Sequence, residues 1–269
     1  MNMLPPSDHS LSDRDMDRPA LLSALRARIA RLDRSGGALP EAGGGGIPLC
    51  EGIDAALPGG GGLSRAAVHE VLAAEPGAAA GFCALLLARA GGTVLWIAAE
   101  PDAWPPGLAR FGLSPADLVL VQAPRPVDGL WAMEEALRCP GVAGALLVLK
   151  GLDLTAARRL QLAAEAGGAL GLLLRPDEED SAGGASAALT RWRVGALPGT
   201  GGGGAGKHDL GDPRWQLDLL RCRGGKPGRW QVVWRSAAER LELDEEGIEA
   251  EQTARRPMRA AAAASARLR

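Results

Sequence analysis

The sequence is poor in lysine and in aromatic residues. It contains no tyrosine, two phenylalanines and three lysines, so arginine supplies most of its 30 basic residues. Together with 38 glycines, this bias is typical of a GC-rich genome, and we interpret it as a codon effect. Glycine and proline stay below the roughly 25–30% that marks a low-complexity chain. Because 46% of the residues are hydrophobic, we expect one large domain, or one domain with tails.

Long apolar runs, paired cysteines and clustered histidines are also absent. No run of about 18 apolar residues occurs, so no membrane-spanning helix is expected, and residues 1–17 lack the apolar segment of a secretory signal. The four cysteines form no Cys-x-x-Cys pair, which favours reduced, mostly buried thiols in a cytoplasmic protein. The three histidines are scattered, so neither a metal site nor a cofactor is predicted. A net charge of −2 argues against a nucleic-acid binder that depends on bulk charge.

Composition divides the chain into four regions. Residues 1–18 are predicted to be a disordered N-terminus, and residues 19–46 a helix followed by a glycine-rich linker. Residues 47–243 are predicted to form the core. Residues 244–269 are predicted to be a disordered tail, acidic at first and then basic, and its basic end is either a solvated segment or a handle for a partner or for DNA.

The predicted N-terminal helix is amphipathic. Its leucines and one isoleucine fall on one face, and arginines, among them Arg26 and Arg28, lie around the remainder. Such a helix either covers part of the core or docks onto another chain. Arg26 and Arg28 are candidate partner contacts in the second case.

Apolar runs alternate with helical patterns along the core. The predicted strands are 66–72, 93–98, 118–121, 145–149 and 170–174, and the predicted helices are 78–90, 127–138 and 155–166. Near-continuous apolar strands that alternate with helices indicate a parallel sheet covered on both faces. Further strands are predicted at 189–194, 215–222 and 230–234, and the last two form a hairpin. The predicted fold class is therefore α/β, a mostly parallel sheet flanked by helices with an antiparallel hairpin at its C-terminal edge.

One segment imitates a nucleotide-binding loop. Residues 201–208 (GGGGAGKH) match the phosphate-loop pattern except that His208 replaces the hydroxyl residue that ligates Mg²⁺. A true phosphate loop joins a strand to a helix, whereas residues 209–213 (DLGDP) are unsuited to open a helix. We interpret the segment as a glycine-rich loop between two strands.

The segment after the first predicted strand is where a phosphate loop belongs. Residues 73–82 (AAEPGAAAGF) offer Gly77 and Gly81 but neither a lysine for the phosphates nor a serine or threonine for the metal ion. The strand 145–149 is followed by Lys150 where a metal-binding acid is needed. No grouping of serine, cysteine, histidine or carboxylate residues suggests another catalytic site. ATP hydrolysis, and enzymatic activity in general, are therefore not expected.

From Ile53 onward the order of features resembles the RecA-type recombinase core. Residues 53–71 (IDAALPGGGGLSRAAVHEV) resemble the lead-in segment of that family, and residues 93–122 resemble its next helix and two strands. By this resemblance Glu100 takes the place of the catalytic glutamate and Gln122 that of a nucleotide-sensing glutamine. With Gly77 and Gly81 these residues would form a vestigial nucleotide site.

Within this superfamily the sequence resembles ImuA proteins most specifically. The segments that carry the resemblance are LDLTAARRLQLAAEAGG (152–168), TRWRV (190–194) and RWQLDLLRCRGGKPGRWQVVW (214–234). ImuA proteins are encoded with ImuB, a polymerase-like protein, and with an error-prone replicative polymerase α subunit, in a cassette induced by DNA damage. The resemblance, over about residues 20–243, implies a non-catalytic accessory protein of mutagenic translesion synthesis. It also implies an ImuB-like protein, RecA and the polymerase subunit as partners.

The sequence leaves alternatives to this function open. A divergent RecA-like ATPase would keep Glu100 and use another cation, such as Arg65 or Lys150. Single-stranded DNA binding by the basic hairpin and the basic tail is the second alternative, and a cell-division inhibitor of the SulA type is a third that no residue favours. The loops after the strands 145–149 and 170–174, where recombinases bind DNA, are short, and the second carries four consecutive acids, 177–180.

The predicted hairpin supplies the other candidate contacts for a partner or for DNA. They are Arg221, Arg223, Lys226, Arg229 and Trp230. The alternative is an ordinary solvated turn. The tryptophans of the hairpin are predicted to pack in the core or between strands.

Overall fold

The computed structural model describes residues 46–177, 186–199 and 211–244. The predicted N-terminal helix with Arg26 and Arg28, the Gly201–His208 segment and the C-terminal tail lie outside the described residues. Within the described part, no helix is long and apolar enough to span a membrane.

A single mixed sheet of nine strands organises the described residues. Its order is β3-β2-β4-β5-β1-β6-β7-β8-β9, and the strands from β3 to β6 in that order are parallel, whereas β6 to β9 are antiparallel. The strand bounds are Ala67–Ala73 (β1), Val94–Ala98 (β2), Leu118–Gln122 (β3), Gly144–Val148 (β4), Leu170–Pro176 (β5), Thr190–Leu197 (β6), Arg214–Cys222 (β7), Gly228–Arg235 (β8) and Arg240–Leu243 (β9). The predicted fold class, with its antiparallel hairpin at the C-terminal edge, is confirmed.

Helices cover both faces of the parallel part. Their bounds are Glu51–Asp54 (α1), Pro76–Ala90 (α2), Pro105–Ala109 (α3), Pro126–Arg138 (α4) and Leu154–Gly167 (α5). The α2 face holds the larger core, in which Phe82 lies 5.9 Å from Trp192 and 6.1 Å from Trp215 between ring centres. The opposite face packs α4 and α5 against β1, β2, β4 and β5 through residues such as Met133 and Leu160. Each such buried side chain contributes about 1.5–3 kcal/mol of transfer free energy, so the two cores fix the sheet between its helices.

Strand β9, helix α1 and the parallel pairing of β1 with β6 were not predicted from the sequence. The four residues of β9 (RLEL) include two charged residues, so their apolar signal is short. The parallel pairing matters because it places β1 in the interior of the sheet, between β5 and β6.

A buried histidine joins β1 to β6. Trp192 donates through its Nε1–H to Thr190 Oγ1 at 2.8 Å, and the Thr190 hydroxyl donates in turn to His69 Nδ1 at 2.7 Å. His69 then donates through Nε2 to the carbonyl oxygen of Ser64 at 2.8 Å. Burial lowers the pKa of His69 to about 4, so the imidazole is neutral and serves as a structural connector.

All four cysteines are free thiols, but they are less buried than expected. Cys83 is buried, and burial raises the pKa of its thiol, whereas Cys50 and Cys222 are half-buried and Cys139 is exposed. Cys139 directly follows α4, where the chain turns at the surface. The prediction of mostly buried thiols therefore holds fully for Cys83 alone.

Candidate functional site

The junction between β1 and α2 is very short. Strand β1 ends at Ala73 and helix α2 begins at Pro76, so Ala74 and Glu75 alone connect them. The phosphate-loop pattern needs eight residues and a lysine at this position. Pro76 lacks an N–H group, which removes one of the donors that a helix N-terminus offers to an anion.

A carboxylate lies beside this junction. Glu75 precedes α2 and accepts a hydrogen bond at its Oε2 from the backbone N–H of Ala196 in β6, at 2.7 Å. Its side chain does not cap the helix, but its negative charge stands close to the helix N-terminus. A phosphate group approaching this end of α2 would meet that charge, so the electrostatics oppose nucleotide binding.

The two glycines of the predicted vestigial site have different surroundings. Gly77 is exposed, and no atom of residues 46–177, 186–199 or 211–244 lies within 4 Å of the position that a Cβ would take. Gly81 is buried, and a Cβ there would lie 2.8 Å from Phe111 Cζ and 3.2 Å from Trp215 Cζ2. Gly81 therefore serves close packing of α2 against aromatic rings.

Glu100 and Gln122 lie at the carboxyl ends of strands that are not neighbours of β1 in the sheet. Glu100 follows β2, and Gln122 ends the edge strand β3; both are exposed. With neighbouring strands about 4.8 Å apart, the ends of β2 and β3 lie roughly 14 Å and 19 Å from that of β1. Strands β4 and β5 lie between these strand ends and β1. The assignment of Glu100 and Gln122, with Gly77 and Gly81, to a vestigial nucleotide site stays a prediction.

Lys150 lies where the sequence analysis placed it. It is exposed and stands two residues beyond the end of β4. Its backbone carbonyl accepts a hydrogen bond from Arg175 Nε at 3.3 Å. Within the described residues, no group of three or more histidine, cysteine, aspartate or glutamate side chains could hold a metal ion.

A buried charge ladder crosses β5, β1 and β6, and the sequence analysis did not anticipate it. Glu70 in the middle of β1 is 2% exposed and pairs with Arg175 and with Arg191, whose Nε lies 2.7 Å from Glu70 Oε2. Next to it, Arg193 pairs with Asp177 at 2.7 Å. The signal was an acid in an otherwise apolar strand together with arginines at every second residue of TRWRV, since alternate residues of a strand share a face. The ladder ties the three strands together.

The predicted hairpin is β7–β8, and its tip lies at the opposite end of the sheet from the β1–α2 junction. Because β6 runs parallel to β1 and pairs Thr190 with Cys222, the tip is next to the amino end of β1. Trp215 and Trp234 are buried as predicted, and the half-buried Trp230 stacks 6.2 Å from Trp192, which speaks against a base-stacking platform. Arg229 is engaged, because its Nε lies 2.8 Å from Asp218 Oδ1.

The other three basic candidates, Arg221, Arg223 and Lys226, lie near the hairpin tip and are exposed. Arg221 Nη1 donates to the carbonyl oxygen of Ser186 at 2.8 Å, and Arg223 Nη2 approaches that of Ala187 at 3.5 Å. Lys226 donates its backbone N–H to Ala56 at 3.1 Å and extends its side chain into solvent. These contacts fix the backbone and orient the arginines, but a neutral carbonyl oxygen leaves the positive charge uncompensated.

Comparison with known proteins shows the family. No protein-family model matches the chain. Protein ImuA of Caulobacter vibrioides is 41% identical over 194 residues, which cover 66% of this chain and 78% of that protein. The identity and both coverages are the same for the ImuA proteins of two strains, NA1000 / CB15N and ATCC 19089 / CIP 103742 / CB 15. The chain belongs to the ImuA family.

A solved structure supports the fold of this ImuA family member. The crystal structure of the RadB recombinase matches with a TM-score of 0.52 at 12% identity, over 69% of this chain and 94% of that one. At this identity the similarity shows the fold and no more. It confirms the RecA-like architecture that the order of sequence features predicted.

Proposed function

We propose that this ImuA family member is a non-catalytic accessory protein of DNA-damage-induced mutagenic translesion synthesis. It would act through contacts with an ImuB-like protein, with RecA and with the error-prone polymerase α subunit, in the cytoplasm. The observation that carries the proposal is the β1–α2 junction, where Ala74 and Glu75 replace the loop that an ATPase needs.

Phosphoryl transfer needs positive charge and donors around the β- and γ-phosphates. The junction offers a carboxylate at Glu75, a proline at the first turn of α2 and no lysine, serine or threonine between residues 73 and 82. The junction therefore supports a protein that acts by binding rather than by catalysis.

A nucleotide test separates this proposal from the ATPase alternative. We expect the midpoint of thermal unfolding of the full chain to stay unchanged in millimolar ATP and Mg²⁺, with and without single-stranded DNA. A ligand present at 100 times its Kd would stabilise the fold by about 2.7 kcal/mol, which a melting experiment detects readily. A clear shift, or DNA-stimulated release of phosphate, would favour the ATPase.

The Glu75→Ala variant sharpens the nucleotide test. It removes the negative charge but leaves the short junction and Pro76 in place, so we expect it to bind no nucleotide either. Glu135→Ala is the matched control, since it removes an exposed carboxylate from helix α4, outside the candidate nucleotide site. ATP-dependent stabilisation of Glu75→Ala alone would mean that one charge, and not the length of the junction, excludes nucleotide.

A co-purification test examines the partners. The full chain and a fragment of residues 46–244, which keeps β9, are each incubated with the ImuB-like protein, RecA or the polymerase subunit. We expect the full chain to retain the ImuB-like protein. Failure to retain any of the three would contradict the accessory function, and retention by the full chain but not by the fragment would assign the contact to the outer segments.

A further inference from the structure

The amino end of β1 is surrounded by segments of one charge sign. Three segments meet there: residues 55–66, which lead into β1, residues 186–190, which lead into β6, and residues 219–229, which form the hairpin tip. Together they contain five basic residues and no acidic one. This segregation occurs in a chain whose net charge is −2.

The hairpin tip and the glycine-rich turn Pro58–Gly62 form one continuous surface. Lys226 N donates to Ala56 O at 3.1 Å, and Cβ positions built on Gly224 and Gly225 would lie 3.8 Å and 3.3 Å from the ring of Pro58. We call this surface, formed by Pro58–Gly62, Arg221, Arg223 and Lys226, the basic end.

The backbone of the turn is accessible. Gly59, Gly60 and Gly61 are exposed, and no atom of the described residues lies within 4 Å of the positions that their Cβ atoms would take. Among the described residues, side chains therefore do not screen the turn from a ligand. A chain of phosphates can approach its peptide groups closely while arginine and lysine side chains reach it from the adjacent hairpin.

The basic side chains at this end of the sheet differ in how strongly they are bonded to other described residues. The Arg65 guanidinium donates to the carbonyl oxygens of Arg89 and Ala90 at the end of α2, and Arg229 pairs with Asp218. Arg221 and Arg223 contact neutral carbonyl oxygens, and no ion pair of Lys226 occurs within the described residues. Within the described part of the chain, three exposed cations thus lie near the glycine turn without an ion-pair partner.

We infer that the basic end binds the phosphodiester backbone of single-stranded nucleic acid. Phosphate contacts of this kind are independent of sequence and depend steeply on salt. The site goes beyond the proposed accessory function, because it lies at the other end of the sheet from the β1–α2 junction and needs neither nucleotide nor catalysis. Arginine forks and an open backbone favour phosphates. Two of the hairpin tryptophans, Trp215 and Trp234, are buried and the third, Trp230, is half-buried, which leaves less apolar surface for a protein partner.

The test measures fluorescence anisotropy of labelled oligo-dT with the full chain over a series of salt concentrations. We expect Arg221→Glu/Arg223→Glu to weaken binding at least about tenfold and to reduce the magnitude of the salt slope by about 1–2. The control, Arg125→Glu/Arg158→Glu, changes the net charge equally at two exposed positions near the other end of the sheet and should bind as the parent does. Equal weakening by both pairs would mean that only bulk charge matters and would overturn the inference.

A second pair of variants tests the turn without altering any cation. Gly61 has φ −100° and ψ 14°, a conformation open to other residues, and space for a side chain. We expect Gly61→Asp to weaken oligo-dT binding several-fold and Gly61→Ala to leave it nearly unchanged, with both variants melting as the parent does. Oligo-dT binding that survives Gly61→Asp and the hairpin pair, but is lost on removal of residues 245–269, would assign DNA binding to the tail. Unchanged oligo-dT binding with loss of the ImuB-like protein would make the basic end a protein contact.

Discussion

The two ends of the parallel sheet differ in charge and in how that charge is used. The five loops that follow β1 to β5 contain, in their described residues, five acids and two bases, whereas the three segments at the amino end contain five bases and no acid. At the carboxyl end, Glu75, Asp153 and Asp177 are engaged with other parts of the protein. At the amino end, the charges of Arg221, Arg223 and Lys226 face solvent. The end that would bind nucleotide in an ATPase is thus acidic and internally paired, and the opposite end is equipped for an anion.

The largest loss of stability is expected on disrupting the buried ion pairs of Glu70. Glu70→Ala should lower the free energy of unfolding by about 3–5 kcal/mol, because it leaves Arg191 buried without its carboxylate. The measurement is urea denaturation at neutral pH. Arg125→Ala is the control, since its pair with Asp128 is exposed and worth about 0–1 kcal/mol. Similar losses of unfolding free energy for the two variants would mean that the ion pairs across β5, β1 and β6 do not stabilise the sheet more than an exposed ion pair does.

Acid should weaken the connection between β1 and β6. The folded-state pKa of His69 is about 4 and its ordinary value is 6.5, so the folded protein binds fewer protons than the unfolded chain between these values. Stability from this group is therefore complete above about pH 6.5 and falls as the pH drops toward 4, by about 3 kcal/mol in total. In urea denaturation at several pH values, His69→Gln should show a shallower decline than the parent. Parallel declines would show that carboxylates alone set the pH dependence.

An added methyl group should disturb the packing of α2 at one of its two glycines and not at the other. Gly81→Ala should cost about 1–3 kcal/mol, because the added methyl group would collide with Phe111 and crowd Trp215. Gly77→Ala should be neutral or stabilising by up to about 1 kcal/mol, since it meets no atom and alanine is the better helix former. Thermal unfolding of the pair measures both. Equal effects would contradict the assignment of Gly81 to close packing and of Gly77 to an open helix end.

The smallest effect is expected at the β1–α2 junction. Glu75→Gln should destabilise by about 0.5–1 kcal/mol, because it weakens the hydrogen bond from Ala196 and removes a negative charge near the N-terminus of α2. The difference should shrink in high salt, which screens the charge but leaves the hydrogen bond. An unchanged or increased stability would mean that neither the hydrogen bond from Ala196 nor the charge of Glu75 stabilises the fold.

Much of the fold could be predicted from sequence because its strands and helices alternate with strong apolar patterns. Strands such as β5, and helices such as α4, were placed within about two residues, the usual uncertainty at element ends. Strand β9 was missed because a four-residue edge strand with charged side chains carries little periodic signal. The parallel pairing of β1 with β6 was missed because pairing depends on long-range contacts that no local pattern encodes.

The candidate sites were less predictable. Sequence identified the absence of a lysine at residues 73–82, but not that Glu75 would bond to Ala196, 121 residues away. It named the basic hairpin residues, yet it did not reveal that Arg229 pairs with Asp218 or that the glycine-rich turn lies against the tip. Both facts depend on strand order, which joins segments that are distant in the chain.

The length of the β1–α2 connection has a consequence for engineering this chain. A cradle for phosphates is made of backbone, and its N–H groups require several residues between strand and helix. Ala74 and Glu75 span too little chain to curl around an anion, whatever their side chains are. Restoring a nucleotide site would thus require an insertion that moves α2 away from β1. Such an insertion would also disrupt the packing of Gly81 against Phe111. Point substitutions change the side chains of this junction but leave the number of residues between β1 and α2 the same.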